Sequence, residues 1–444
     1  MQLKKDVYIL FLSDIHFRVE YSQSFPFVED RDNKKSGFDY LWDNFIFEIE
    51  SKWKDRITHV LINGDLVFNA KNFDFNEISK KFKMLFSKLK NVPIIFTPGN
   101  HDVEWERLLS TFINNTEGLI IDKEQILIAI KKYLEFDYKD KSRLNVVSNY
   151  KAFLNLFSEF NVVGIDKSGL DSWNCATYFF DSNFNVCFNI LNSSLNSHGD
   201  GIKDILRYLK RIYGSRLGEP GLSELLIDLV TIFKEQGNQV YTQDVNYIDQ
   251  IHRIKEERPL VISCAHHPIE WLQYDQIYES NEDFPLKQIK NYSHVHFTSH
   301  EHIDPSDYFN YSKEGVLFLK SGKFSDSELT CNGSQNVADL NSKIFNSNWF
   351  SIIKIVATSG SNHLSHMNFK FKFNSFNNSS WEPINETKQH VLYERGTNFI
   401  DLLNNVIQTT NQKDLLECLK KVESDYLNIK RDLLNQIDST LLMD

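Results

Sequence analysis

Val92-Pro93-Ile94-Ile95-Phe96-Thr97-Pro98-Gly99-Asn100-His101-Asp102 runs from an apolar, strand-like stretch straight into a polar turn. Glycine permits a tight backbone there, and asparagine and aspartate serve as turn or capping residues. Nothing in turn chemistry asks for the histidine. A carboxylate beside it can fix its tautomer and orientation. The plain alternative is a solvated histidine on a polar loop, and these residues alone do not separate the two.

Upstream, the same grammar occurs twice more. Val7-Tyr8-Ile9-Leu10-Phe11-Leu12 ends in Ser13-Asp14-Ile15-His16, and His59-Val60-Leu61-Ile62 ends in Asn63-Gly64-Asp65. Helical spacing over 38–53 (Leu41, Phe45, Phe47, Ile49, Trp53) and over 75–89 separates the three runs, with a loop at 20–37. Strands alternating with helices predict an α/β sheet, whose sites sit outside the carboxyl ends of the strands.

Downstream, 103–170 reads as a helical elaboration and 199–240 as an insertion with an amphipathic helix over 222–234. Between them, runs at 176–180 and 186–191 form a hairpin across 181–185. A buried strand at 260–265 ends in His266-His267-Pro268, and another at 295–298 ends in Ser299-His300-Glu301-His302. Runs at 315–320, 349–357 and 367–373 read as strands that complete a second sheet packed on the first. After an Asn/Ser-rich linker at 374–380, the pattern turns helical from about Glu386, with an apolar stripe from Leu415 to Leu441. That stripe suits packing on its own domain, or a homodimer or protein partner.

Composition narrows the classes. The 444 residues, 41% hydrophobic and 25% charged, can bury a large core. A net charge of −11 argues against a generally basic, nucleic-acid-coating surface, though not against a local anion site. Five cysteines (Cys175, Cys187, Cys264, Cys331, Cys418) without a CxxC argue against a disulfide framework or a thiolate zinc site. Without a signal-peptide pattern or an apolar run of membrane-spanning length, the expectation is a cytoplasmic protein that engages no membrane.

Five strand ends thus carry Asp14 and His16, Asp65, Asn100 with His101, His266, and His300 with His302. Each has an ordinary explanation singly, as turn residue, helix cap or loop histidine. Jointly they do not, since one sheet system would repeat the coincidence five times. Carboxylate, amide and imidazole donors together suit Mn, Fe or Zn. Residues two apart on an extended segment, as in Asp14-x-His16 and His300-x-His302, point the same way. A carboxylate such as Asp65 can bridge two ions about 3.5–4 Å apart, the spacing of two-metal hydrolytic sites.

The ordered set Asp14-Ile15-His16, Gly64-Asp65, Gly99-Asn100-His101-Asp102, His266-His267-Pro268 and Ser299-His300-Glu301-His302 resembles the calcineurin-like metallophosphoesterase family. The family pattern is DxH, GD, GNH(D/E), a lone His, then GHxH; Ser299 stands where that last motif has glycine. The resemblance implies a four-layer α/β/β/α sandwich over residues 1–384, followed by the helical extension at 385–444. It implies two divalent ions, manganese foremost, with Asp14, His16 and His302 on one, Asn100, His266 and His300 on the other, and Asp65 bridging. His101 would give a proton to the leaving oxygen, oriented by Asp102. His267 is expected behind the ligands, and the earlier pair His294 and His296 in a structural role. The reaction implied is phosphodiester hydrolysis by a metal-bound hydroxide, on a nucleotide or a nucleic acid. A nuclease subunit working with a partner is the alternative, and a non-catalytic metal-binding scaffold the reading from another class. The arginine-bearing motif of phosphoprotein phosphatases is absent, because Leu66-Val67-Phe68 follows Asp65.

Overall fold

The computed structural model describes residues 3–17, 28–30, 33–35, 37–67, 74–102, 124–128, 160–163, 177–194, 259–269, 293–301, 309–311, 316–320, 322–325, 348–357, 364–374, 380–383 and 389–392, with helical positions at 209, 211, 224–225, 227–228 and 289. All of them fall in one compact unit, Met1–Leu392. His302, most of the elaborations at 103–170 and 199–240, and the extension beyond 392 lie outside the described residues.

In chain order the strands are β1 (Val7–Leu12), β2 (Val28–Asp30), β3 (Asn33–Lys35), β4 (His59–Asn63), β5 (Ile94–Thr97), β6 (Val162–Val163), β7 (Thr177–Asp181) and β8 (Val186–Ile190). They continue with β9 (Leu260–Cys264), β10 (Val295–Thr298), β11 (Phe309–Tyr311), β12 (Leu317–Lys320), β13 (Trp349–Ala357), β14 (Leu364–Asn374), β15 (Ser380–Pro383) and β16 (Gln389–Leu392). Helices α1 (Gly37–Glu48) and α2 (Phe75–Lys88) fill the first two crossovers. Asp74 caps α2 by accepting from the N–H groups of Asn76 and Glu77. The final turn after α1 loosens into a π-helix over Ile49–Trp53.

Among the described residues, the first sheet has the order β15-β14-β13-β1-β4-β5-β6, with β16 also on β14. Its β1, β4, β5 and β6 are parallel, while β13 joins β1 antiparallel. The second sheet has the order β11-β12-β10-β9-β8-β7, parallel from β12 to β8 with antiparallel strands at both edges.

Strand periodicity sets the layers. Val7, Ile9 and Phe11 of β1, with Leu61, Ile95, Ile353 and Ile355, face Phe188, Ile262, Val295, Phe297 and Leu319 of the second sheet in one continuous core. The alternate residues Leu10, Leu12, Val60, Ile62, Ile94 and Phe96 face α1 and α2 through Phe38, Trp42, Phe45, Phe82 and Leu85. These are three layers of the expected sandwich; on the far face of the second sheet the described residues are few, with Leu191, Ala265 and Ile289 buried together. No helix among the described residues is long and apolar enough to cross a membrane.

Four expectations change. The strands at 349–357 and 367–373 belong to the first sheet, because β13 zips onto the free edge of β1 from Val7↔Ile355 to Phe11↔Ser351. A strand pattern states that residues pair, not with which edge. The helical extension does not start near residue 386, since β16 pairs with β14. The loop at 20–37 contains the β2–β3 pair. Phe47, counted on the apolar face of α1, is 69% exposed.

Candidate metal centre

The parallel strands of both sheets end at the same place, and the polar residues follow those ends. Asp14 and His16 follow β1, Asp65 follows β4, Asn100 to Asp102 follow β5, His266 and His267 follow β9, and His300 follows β10. Asp14, His16, Asp65 and His300 all sit at positive φ, between 50° and 73°. Non-glycine residues adopt that conformation at a cost, which clusters at functional sites.

Two glycines are there for closeness. A Cβ on Gly99 would run into the Asp65 carboxylate, and one on Gly64 would run into the His266 ring. Gly64 also has φ 84°, where glycine is the natural occupant.

Asp65 is central and 1% exposed. Its Oδ1 accepts the His101 backbone N–H at 2.9 Å. Its Oδ2 is buried without a hydrogen-bond partner, and lies 3.3 Å from His266 Nε2 and 3.9 Å from His16 Nε2. His266 Nε2 is also 3.1 Å from Asn100 Oδ1, while His16 Nε2 is 3.9 Å from Asp14 Oδ1. Donor atoms of Asp14, Asp65 and His266 lie within 4.8 Å of one another, as do those of His16, Asp65 and His101, and those of His266, His267 and His300. Asp65 is common to the two groups that contain carboxylates, the position a bridging ligand needs.

The electrostatics point the same way. Burial pushes the Asp65 carboxyl up, but His266, His101 and His16 outweigh it and hold the group well below the ordinary range. Burial disfavours a charged His266, yet Asp65 and Asp14 push it up to about 9. A buried carboxylate oxygen costs free energy unless a cation meets it, which the His266 ring 3.3 Å away does when protonated and a metal ion would do in its place. Two carboxylates, an amide oxygen and imidazole nitrogens aimed at a common space fit divalent ions of the Mn, Fe or Zn kind.

Of the expected site residues, the structure thus brings together Asp14, His16, Asp65, Asn100, His101, His266 and His300. Asp102 holds the turn through backbone groups. Its Oδ1 accepts from Val67 N at 3.0 Å and its Oδ2 from Gly99 N at 2.9 Å, so it staples the turn to the segment after β4. Burial and the Asp65 carboxylate push its carboxyl up to about 7, against those two donors. His267 is buried with Nδ1 2.9 Å from Ser193 Oγ, and burial with the neighbouring His300 and His266 holds its pKa well below the usual value. His294 accepts from Val261 N through Nδ1 within the second sheet. Sequence reasoning missed Ser13, whose hydroxyl donates to Asp14 and, at 3.1 Å, lies against the Asn63 carbonyl. It also missed Asn63 itself, although a buried amide ending an apolar strand was a visible signal.

A family model for calcineurin-like phosphoesterases matches residues 7–304. Among solved structures, the chain is similar to a dimetal phosphatase from Danio rerio, at 11% identity and a TM-score of 0.38, over 87% of this chain and 99% of that one. It is also similar to purple acid phosphatase PPD1 from yellow lupin (Lupinus luteus) seeds, at 11% identity and a TM-score of 0.35, over 82% of this chain and 51% of that one. No curated protein sequence matches it.

Proposed function

We propose that this chain, which belongs to the calcineurin-like phosphoesterase family, hydrolyses a phosphodiester of a nucleotide or nucleic acid at a centre of two divalent ions, manganese foremost. The observation that carries the reading is Asp65, a buried carboxylate with one oxygen lacking a hydrogen-bond partner among His16, His266 and Asn100. In this reading Asp14, His16 and His302 would hold one ion, Asn100, His266 and His300 the other, and Asp65 would serve both. Bound there, the ions supply Lewis acidity to a phosphoryl oxygen and lower the pKa of water.

The chain's own residues do the rest. Asn100 offers a neutral oxygen, so it adds no negative charge facing the phosphate. His101 is only partly buried, with its ring 5.1 Å from that of His16, and it gives the proton to the leaving oxygen. Its backbone N–H on Asp65 and the Asp102 staple on Val67 and Gly99 fix where the ring is rooted. The reading favours a diester because Phe68-Asn69 stand where the phosphoprotein phosphatase motif has its Asp-Arg pair, and an arginine suits a dianionic phosphate.

The test is a substrate panel on manganese-loaded and chelator-treated protein: bis-p-nitrophenyl phosphate, p-nitrophenyl phosphate, cyclic nucleotides, single- and double-stranded DNA, and RNA. Diester turnover that depends on metal is expected. Faster monoester turnover would overturn the diester reading, and absent metal with absent turnover would favour the scaffold. We further propose that the protein works in the cytoplasm and uses its C-terminal residues to dimerise or to dock a partner; light scattering on the full chain reads whether it dimerises.

A further inference from the structure

We propose that Ser299 is a positioning residue: its hydroxyl, together with Asn63, fixes which nitrogen of His266 faces the metal centre. The inference rests on the metal-centre reading. Ser299 occupies the place where the family motif has glycine, so this hydroxyl is an addition of this chain.

The hydroxyl is 1% exposed and sits where three strands end. It lies 2.7 Å from the Asn63 carbonyl, 2.9 Å from Asn63 Nδ2, 3.0 Å from His266 Nδ1 and 3.2 Å from the His266 carbonyl. Ser299 N donates to the same His266 carbonyl at 2.8 Å. A serine hydroxyl has one proton. The shortest contact takes it to the Asn63 carbonyl, which leaves the oxygen to accept from Asn63 Nδ2 and from His266.

His266 Nδ1 therefore meets two acceptors, the Asn63 carbonyl at 2.8 Å and Ser299 Oγ. Both demand a proton on Nδ1. With a proton held there, it is Nε2 that faces the space shared with Asn100 Oδ1 and Asp65 Oδ2, and a metal ion bound in that space would take its lone pair in place of a proton. The orientation of Asn63 is set in turn, because Thr97 Oγ1 donates to its Oδ1 at 2.8 Å and its Nδ2 also donates to the Ala265 carbonyl at 2.9 Å. The chain thus links β4 and β5 of the first sheet to β9 and β10 of the second. Partners that orient a ligating histidine typically change metal affinity by 10- to 100-fold when removed.

The experiment measures metal affinity of the wild type and of Ser299→Gly by chelator competition, alongside thermal unfolding of the metal-free proteins. It also reads the ring-nitrogen shifts of His266 by NMR, assigned with His266→Gln. Expected results are an Nδ1–H tautomer in the zinc-loaded wild type and a metal affinity weakened about 10-fold or more in folded Ser299→Gly. Ser299→Ala should behave as Ser299→Gly, because both lack the hydroxyl. A lower melting temperature with unchanged metal affinity would make Ser299 merely structural and overturn the assignment. An Nδ1 without its proton in the zinc-loaded wild type overturns it without any variant. Wild-type protein that binds no metal overturns the metal-centre reading itself, whereas wild type and both variants binding two ions alike overturns only the role of Ser299.

Discussion

His266 and His296 lie at adjacent strands of the second sheet, both fully buried, and each has Nδ1 within reach of a serine hydroxyl. Burial pushes His296 down to about 3, since it faces Ser263 and the Phe318 ring with no carboxylate among the causes. At His266 the same burial is overcome by Asp65 and Asp14, and the value rises to about 9. The difference is position along the strand. His296 lies within β10 on its outer face, whereas His266 follows the carboxyl end of β9, where the ends of the first sheet deliver their carboxylates. Residue type and burial alone do not set the charge of a histidine; the carboxylates that topology brings to it do.

The strongest way to break this contrast is to remove the carboxylate that creates it. Asp65→Asn should lose metal and at least about 10³-fold in turnover, because the ions are worth several kcal/mol of transition-state stabilisation. Elemental analysis showing full occupancy would refute the bridge. His101→Ala touches the same end of the sheets without touching the ligand set. It should keep both ions while losing about 10²-fold or more on an alkyl diester, and less on substrates with good leaving groups. Equal rates on the alkyl diester would remove His101 as the acid.

The other side of the contrast is read through pH. His296 has a folded value near 3 against an ordinary 6.5, so below pH 6.5 the unfolded chain binds a proton that the folded one refuses. Stability should therefore fall as pH drops, by about 1.4 kcal/mol per pH unit, or about 2 kcal/mol at pH 5. Urea unfolding of wild type and His296→Leu at pH 7 and 5 checks this; the variant should lose that share of the acid sensitivity. The smallest effect sharpens the contrast most: His296→Leu should leave metal content and turnover unchanged. Loss of metal in that variant would mean that the two histidines are not different in kind.

The strand ends were legible because each is an apolar run cut off by polar residues, which is why Asp14, His16, Asp65, Asn100, His101, His266 and His300 could be named before any contact was known. Gly99 was visible as a turn glycine and Gly64 only as part of a motif, but a reason both are glycine is the side chain pressed against each. The partners of Asp102 were not legible, since its carboxyl binds Val67, 35 residues away, as well as Gly99 in its own turn. The strands at 349–357 and 367–373 were found but assigned to the wrong sheet, since nothing in their pattern distinguishes the edge of β1 from an edge of the second sheet.

By itself, then, the sequence determined which residues stand at the mouths of strands and what donor chemistry they offer. Alternation fixes faces, and the end of an apolar run fixes where polar groups emerge. Only the tertiary structure decided that two sheets open their carboxyl ends onto one space and which atom of each residue looks into it. Those decisions rest on contacts such as Asn63 Nδ2 to the Ala265 carbonyl, 202 residues apart. Local periodicity carries no record of so distant a partner, because the pairing is chosen by how whole sheets bury their shared faces.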